Sequence, residues 1–100
     1  MEEINIFVGL KQKDMQTDVS PDQALNVMQR ELNKIGVSGF NTDQIKGCWG
    51  NSQEPTLKIS FVNTFKVNYE QINTALGNAK IELNQESILY TKQKVKYAFI

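Results

Sequence analysis

The chain has 100 residues, 40% apolar and 22% charged, with eleven basic and eleven acidic side chains. That suffices for one domain around one core. The zero net charge argues against a general attraction to DNA or RNA but leaves room for a local patch. There is no histidine, which removes the commonest general base and the commonest zinc ligand. The one cysteine, Cys48, can form neither an internal disulfide nor a CxxC site. No stretch approaches the roughly 20 apolar residues of a membrane span. The acidic start, Met1-Glu2-Glu3, does not read as a signal peptide. An intracellular protein with a reduced thiol is expected.

Ten lysines stand beside a single arginine, Arg30, and asparagine and glutamine make up 19 residues. Bidentate arginine clamps are therefore scarce, and an anion site would have to use lysine or amides.

Residues 3–10 alternate with period two, placing Ile4, Ile6, Val8 and Leu10 on one face of a strand. Residues 11–19 form a polar connection. Ser20-Pro21-Asp22-Gln23 is a helix start with N-cap, N1 proline and capping glutamine. Leu25, Met28, Leu32 and Ile35 follow at helical spacing, and Gly36 is the expected stop, so a helix is predicted over 21–35. Residues 44–50 predict a strand with Ile45, Gly47 and Trp49 on one face. Residues 50–55 predict a hairpin loop and 56–63 the next strand. Asn68 and Gln71 make a second capping box, with Val67 and Ile72 as a hydrophobic staple. Gly77 weakens that second helix. Residues 87–99 predict a long last strand, with Tyr90, Lys92, Lys94 and Lys96 sharing one face.

The order β-α-β-β-α-β predicts an α+β, ferredoxin-like split βαβ fold in a single domain spanning 1–100. Two helices would cover one face of a four-stranded antiparallel sheet of order 4-1-3-2.

The candidate binding residues follow from that picture. The helix-free face is expected to carry Phe7, Lys46, Lys58, Tyr90 and the row Lys92, Lys94 and Lys96. Such a face suits an anionic ligand or an acidic partner. The same lysines also suit plain protection of an edge strand. Trp49, between glycines, reads either as a core residue or as a stacking platform at a pocket rim. No carboxylate spacing demands a metal or an acid/base pair. Cys48 has no histidine to activate it, so the residues predict no enzyme, no cofactor and no metal. The bare sheet face also invites self-association.

Three stretches carry a resemblance: Ile6-Phe7-Val8-Gly9-Leu10 with Asp14; Gly47-Cys48-Trp49-Gly50 followed by Glu54; and Leu83-Asn84-Gln85-Glu86-Ser87-Ile88. Together they resemble small accessory proteins of phages and mobile elements of low-GC Gram-positive bacteria. The resemblance implies an anti-defence protein working in the host cytoplasm. Its expected ligand is a small anionic nucleotide signal, sequestered by a homo-oligomer. The alternatives are an anti-CRISPR-type inhibitor docking on a host defence protein and a structural or regulatory accessory protein. Neither a membrane nor nucleic acid is expected as partner.

Overall fold

The alternating apolar residues of strand β1 (Glu2–Gly9) run through the middle of the molecule, with Ile4, Ile6 and Val8 fully buried. The computed structural model describes residues 1–14 and 16–100, without the side chain of Trp49. Helix α1 (Pro21–Lys34) begins where Ser20 Oγ accepts the Gln23 amide at 3.0 Å. It stops in a Schellman motif: Gly36 at φ 94° lets the amides of Gly36 and Val37 return to Asn33 and Leu32. Strands β2 (Asn41–Trp49) and β3 (Ser52–Val62) follow. Helix α2 (Tyr69–Glu82) has the expected Asn68/Gln71 capping box, with bonds of 2.9 and 3.0 Å. Strand β4 (Leu89–Lys94) closes the sheet.

The sheet order is β2-β3-β1-β4, all pairs antiparallel. This is the expected ferredoxin-like α+β arrangement. Both helices pack on one face, where Met28, Leu32, Ile72 and Ala79 meet Ile4, Ile6, Ile59 and Phe61 in one core. Between the helices sits a buried carboxylate, Glu31. It accepts from Lys34 Nζ at 2.9 Å, Asn78 Nδ2 at 3.0 Å and Arg30 Nε at 3.1 Å. Arg30 also pairs with Glu82, tying α1 to α2. No helix is long and apolar enough to cross a membrane among the described residues.

Three boundaries differ from expectation, the first being β2, which starts at Asn41 rather than at residue 44. The loop predicted over 50–55 is a tight turn of Gly50 and Asn51, because the β2–β3 ladder zips up to Trp49 opposite Ser52. Gly50, at φ 58°, supplies the positive φ such a turn needs. Pro55 lies inside β3 rather than ending it. Its carbonyl points to the β1 side, where it accepts the Leu10 amide at 2.8 Å. The N–H that proline lacks would point the same way, toward the Leu10 carbonyl, which accepts the Val19 amide at 2.9 Å instead, so no acceptor is left orphaned. The last strand is also shorter than predicted. After Val95 donates to the Met1 carbonyl at 2.9 Å, residues 96–100 run past β1.

The faces of the two edge strands are the reverse of expectation. In an antiparallel pair, residues directly opposite share a face. Tyr90 stands opposite Ile6 and Lys92 opposite Ile4, so Tyr90, Lys92 and Lys94 project to the helix side. Leu89 and Thr91 face the open side with Phe7 and Asn5. Lys46, opposite Pro55, also lies on the helix side, and Ile45, opposite Thr56, on the open side. A shift of register by one residue exchanges the faces of a strand, and partners set that register.

Candidate functional site

The open sheet face therefore retains only Phe7 and Lys58 from the expected basic face. They are cross-strand neighbours, with Lys58 Nζ 5.9 Å from the centre of the Phe7 ring. Lys92 and Lys94 flank the other side of the edge strand, Lys92 lying 3.9 Å from Glu2. Lys96 lies beyond the strand. Tyr90 packs by α2, its hydroxyl 3.4 Å from Asn73 Oδ1 and its ring 6.2 Å from that of Tyr69. The expected stacking platform, Trp49, falls outside the described side chains. The structure does not gather these residues into one site.

It gathers others. The end of β1, the start of β3 and the turn from α2 to β4 meet at one end of the open face. A cleft of about 140 Å³ there is lined by Phe7, Gly9, Glu54, Thr56, Gln85, Ser87 and Leu89. A second cavity of about 320 Å³ adjoins it, sharing Glu54, Gln85 and Ser87 and adding Lys11, Lys13 and Glu86. Each of the three short stretches singled out in the sequence contributes to this cleft, through Gly9, Glu54 and Gln85.

Local chemistry explains each placement. The Glu54 side chain lies across Gly9, in space that any Cβ there would occupy. The Thr56 hydroxyl donates to the Glu54 carbonyl at 3.2 Å and stiffens this stretch of β3. Helix α2 ends in a second Schellman motif. Asn84, at φ 52°, takes the left-handed position, and the amides of Asn84 and Gln85 return to Ile81 and Lys80. That turn buries Gln85, whose Nε2 donates to the Lys11 carbonyl at 2.5 Å. Its Oε1 lies near Gly9.

The polar connection after β1 forms the outer wall. Lys11 and Asp18 bridge at 2.9 Å, and the Gln12 amide donates to the Thr17 carbonyl at 2.7 Å. Asp14 accepts from the amides of Gln16 and Thr17 and from the Thr17 hydroxyl, which holds its carboxyl at about 2. The Lys13 amide donates to the Asn84 carbonyl at 2.8 Å, and Asn84 Nδ2 donates to Gln12 Oε1 at 2.8 Å. The loop is thereby sewn to the α2–β4 turn.

Among the described residues, Glu54 forms no salt bridge, although Lys11 and Lys13 line the same cavity. Carboxylate, lysine, amide and aromatic groups together suit a zwitterionic ligand with an apolar portion. Sequence reasoning passed over Glu54, Gln85 and Ser87 because none has a partner at diagnostic spacing. Their only signal was membership in the three stretches.

The fold and cleft define a small ferredoxin-like protein with a ligand-sized site at one end of its open sheet. No family model matches the chain, and no curated protein matches it. Solved structures do. A phage SAM lyase in complex with S-methyl-5'-thioadenosine superposes with a TM-score of 0.71 at 16% identity, covering 93% of this chain and 80% of that one. The phage SAM lyase in its apo state gives 0.71 and 16%, covering 92% and 78%. This likeness shows the fold. It also overturns the expectation that a chain of this make-up is not an enzyme: these two solved structures, which share its architecture, are of a lyase. The physical reason for the error lies in the chemistry inferred from missing groups: no histidine and no activated cysteine exclude some mechanisms, not all.

Proposed function

We propose that the chain is a lyase acting on S-adenosylmethionine in a phage anti-defence role. One observation carries this reading: among the described residues the Glu54 carboxylate forms no salt bridge, and it lines two adjoining cavities, one with Lys11, Lys13 and Gln85 and the other with Gln85 and the Phe7 ring. S-adenosylmethionine carries an ammonium, a carboxylate and a sulfonium, so it needs both charge signs and an apolar wall.

The reaction fits a chain poor in acid/base groups. A sulfonium leaves as a neutral thioether and needs no general acid. The carboxylate oxygen of the substrate forms a bond to its own γ-carbon as the γ-carbon–sulfur bond breaks. The electron pair stays on sulfur. The products are S-methyl-5'-thioadenosine and a five-membered lactone that keeps its ammonium group, with no water or external proton consumed. The protein then has to fold the substrate chain back on itself, and orientation alone is worth several orders of magnitude in rate. In this reading Glu54 holds the ammonium, Gln85 and Ser87 offer hydrogen bonds, and Phe7 and Leu89 cover the sulfonium methyl. Destroying the cell's methyl donor would disarm methylation-dependent host systems.

The experiment is incubation of the purified protein with S-adenosylmethionine, followed by mass spectrometry of the small molecules. Release of S-methyl-5'-thioadenosine is expected, with the rate reduced about tenfold or more in Glu54→Gln. Intact S-adenosylmethionine after prolonged incubation with folded protein overturns the proposal, including the case where the compound is bound but not cleaved.

A further inference from the structure

The cleft at the end of the open face holds a second unpartnered acceptor beside Glu54. Gln85 is only 9% exposed, and its Nε2 is tied to the Lys11 carbonyl. A nitrogen that donates to a carbonyl fixes which way the amide points, so Oε1 is the end left over. That oxygen lies 3.3 Å from the point where a Cβ on Gly9 would stand, and Glu54 Oε1 reaches the same point. Among the described residues Gln85 Oε1 accepts no hydrogen bond and Glu54 forms no salt bridge. Two acceptors at one point suit a group that only donates, such as a primary ammonium. The cleft is also small. Its volume of about 140 Å³ is below the roughly 300 Å³ at which pockets for drug-sized ligands begin. It has room for an amino acid, not for an amino acid joined to a nucleoside. Its apolar wall, Phe7 and Leu89, lies in this small cleft, whereas the adjoining cavity has Lys11, Lys13, Ser52 and Glu86 in its walls.

We infer that the cleft reads the amino-acid half of its substrate, and so also cleaves sulfonium α-amino acids whose leaving group is a small dialkyl sulfide. This activity rests on the lyase reading above. Every atom that changes its bonding in that reaction belongs to the amino-acid half: the carboxylate oxygen, the γ-carbon and the sulfur. In S-methylmethionine the same carboxylate oxygen bonds to the γ-carbon as the γ-carbon–sulfur bond breaks. The electron pair stays on sulfur, dimethyl sulfide leaves neutral, and the lactone keeps its ammonium. No proton, water or oxidant enters. The nucleoside of the larger substrate adds affinity but takes no part in the bond changes. Gln85 is the specificity-determining residue. With Glu54 it takes two N–H groups of the ammonium, which holds the α-carbon from which the carboxylate must fold back. A sulfonium acid without the ammonium leaves both acceptors unpaired, and a site built to hydrogen-bond a group rejects the analogue that lacks it.

The test uses three compounds in parallel: S-methylmethionine, (3-carboxypropyl)dimethylsulfonium, which differs from it in lacking the ammonium, and S-adenosylmethionine. Headspace gas chromatography reads dimethyl sulfide, and mass spectrometry reads S-methyl-5'-thioadenosine. Dimethyl sulfide is expected from S-methylmethionine above the protein-free rate, and about tenfold or more slowly from the compound without the ammonium. Gln85→Met keeps the length of the side chain but removes the amide oxygen, and is expected to cut that preference to within about threefold. Far-ultraviolet circular dichroism checks its fold; if it does not fold, the two compounds compared on the unaltered chain decide. S-methyl-5'-thioadenosine from S-adenosylmethionine without dimethyl sulfide from S-methylmethionine overturns the inference and leaves the lyase reading standing. Equal release from the two dimethyl compounds, or a folded Gln85→Met with the full preference, overturns it as well. Cleavage of none of the three is the failure of the lyase reading, and the inference falls with it.

Discussion

The Glu54 carboxylate occupies the space that a side chain on Gly9 would need. Glycine at the end of β1 is thus what allows a β3 carboxylate to lie over the neighbouring strand and face the cleft. The displaced atoms belong to the far end of a flexible side chain, so Gly9→Ala should move Glu54 rather than break the sheet. Formation of S-methyl-5'-thioadenosine is expected to fall about tenfold or more. The melting midpoint is expected to move by less than about 4 °C. A variant with full activity would place the working carboxylate elsewhere.

The lysines of β4 offer a contrast. Lys92 and Lys94 project to the helix side of the edge strand, away from the Glu54 cleft. Lys92→Gln with Lys94→Gln is expected to leave turnover of S-adenosylmethionine within about twofold, because exposed charges at such a distance are screened. Steady-state kinetics at physiological salt would measure this. A large rise in KM would return these lysines to the site.

Stability should fall in acid for a defined reason. The bonds from Lys34 and Asn78 hold the Glu31 carboxyl at about 2, below its ordinary 4.5. Glu82, beside Arg30, is lowered too. A group whose folded pKa is depressed stabilises the fold above its unfolded value and loses that contribution as pH falls through the folded one. The loss should therefore run from about pH 4.5 toward pH 2. Glu31→Gln is expected to unfold more easily at pH 7 and to show a shallower slope across that window. Urea titrations at several pH values would show both effects.

Asn5 faces the open side of the central strand, yet is buried, and its Oδ1 has no hydrogen-bond partner among the described residues. An orphaned buried acceptor costs free energy that an apolar residue of similar size avoids. Asn5→Val is expected to stabilise the chain by about 1 kcal/mol, also favoured by the strand preference of valine. Denaturant unfolding would measure it, and a destabilised variant would mean that Asn5 has a partner in solution.

Legibility followed the physics of each element. Helix ends were readable because caps are local: Ser20, Gly36, Asn68 and Gln71 act within a few residues of themselves. The central strand was readable because Ile4, Ile6 and Val8 alternate and have one face to bury. The edge strands misled. Ile45 and Leu89 alternate with polar neighbours as core residues do, yet both face the open side. Beyond the reach of the helices, the apolar row of a strand no longer marks the core.

The amino-acid sequence by itself determined the order of elements, the ferredoxin-like topology and the absence of histidine chemistry, because periodicity, caps and composition are properties of short windows or of the whole count. Tertiary structure alone decided which face each edge strand presents, since a partner sets register and one residue of slip exchanges the faces. It alone brought Gly9, Glu54 and Gln85 together. They lie on three elements far apart in the chain, and a cleft built from such residues has no signature until the sheet ladder and the second Schellman turn fix their positions in space.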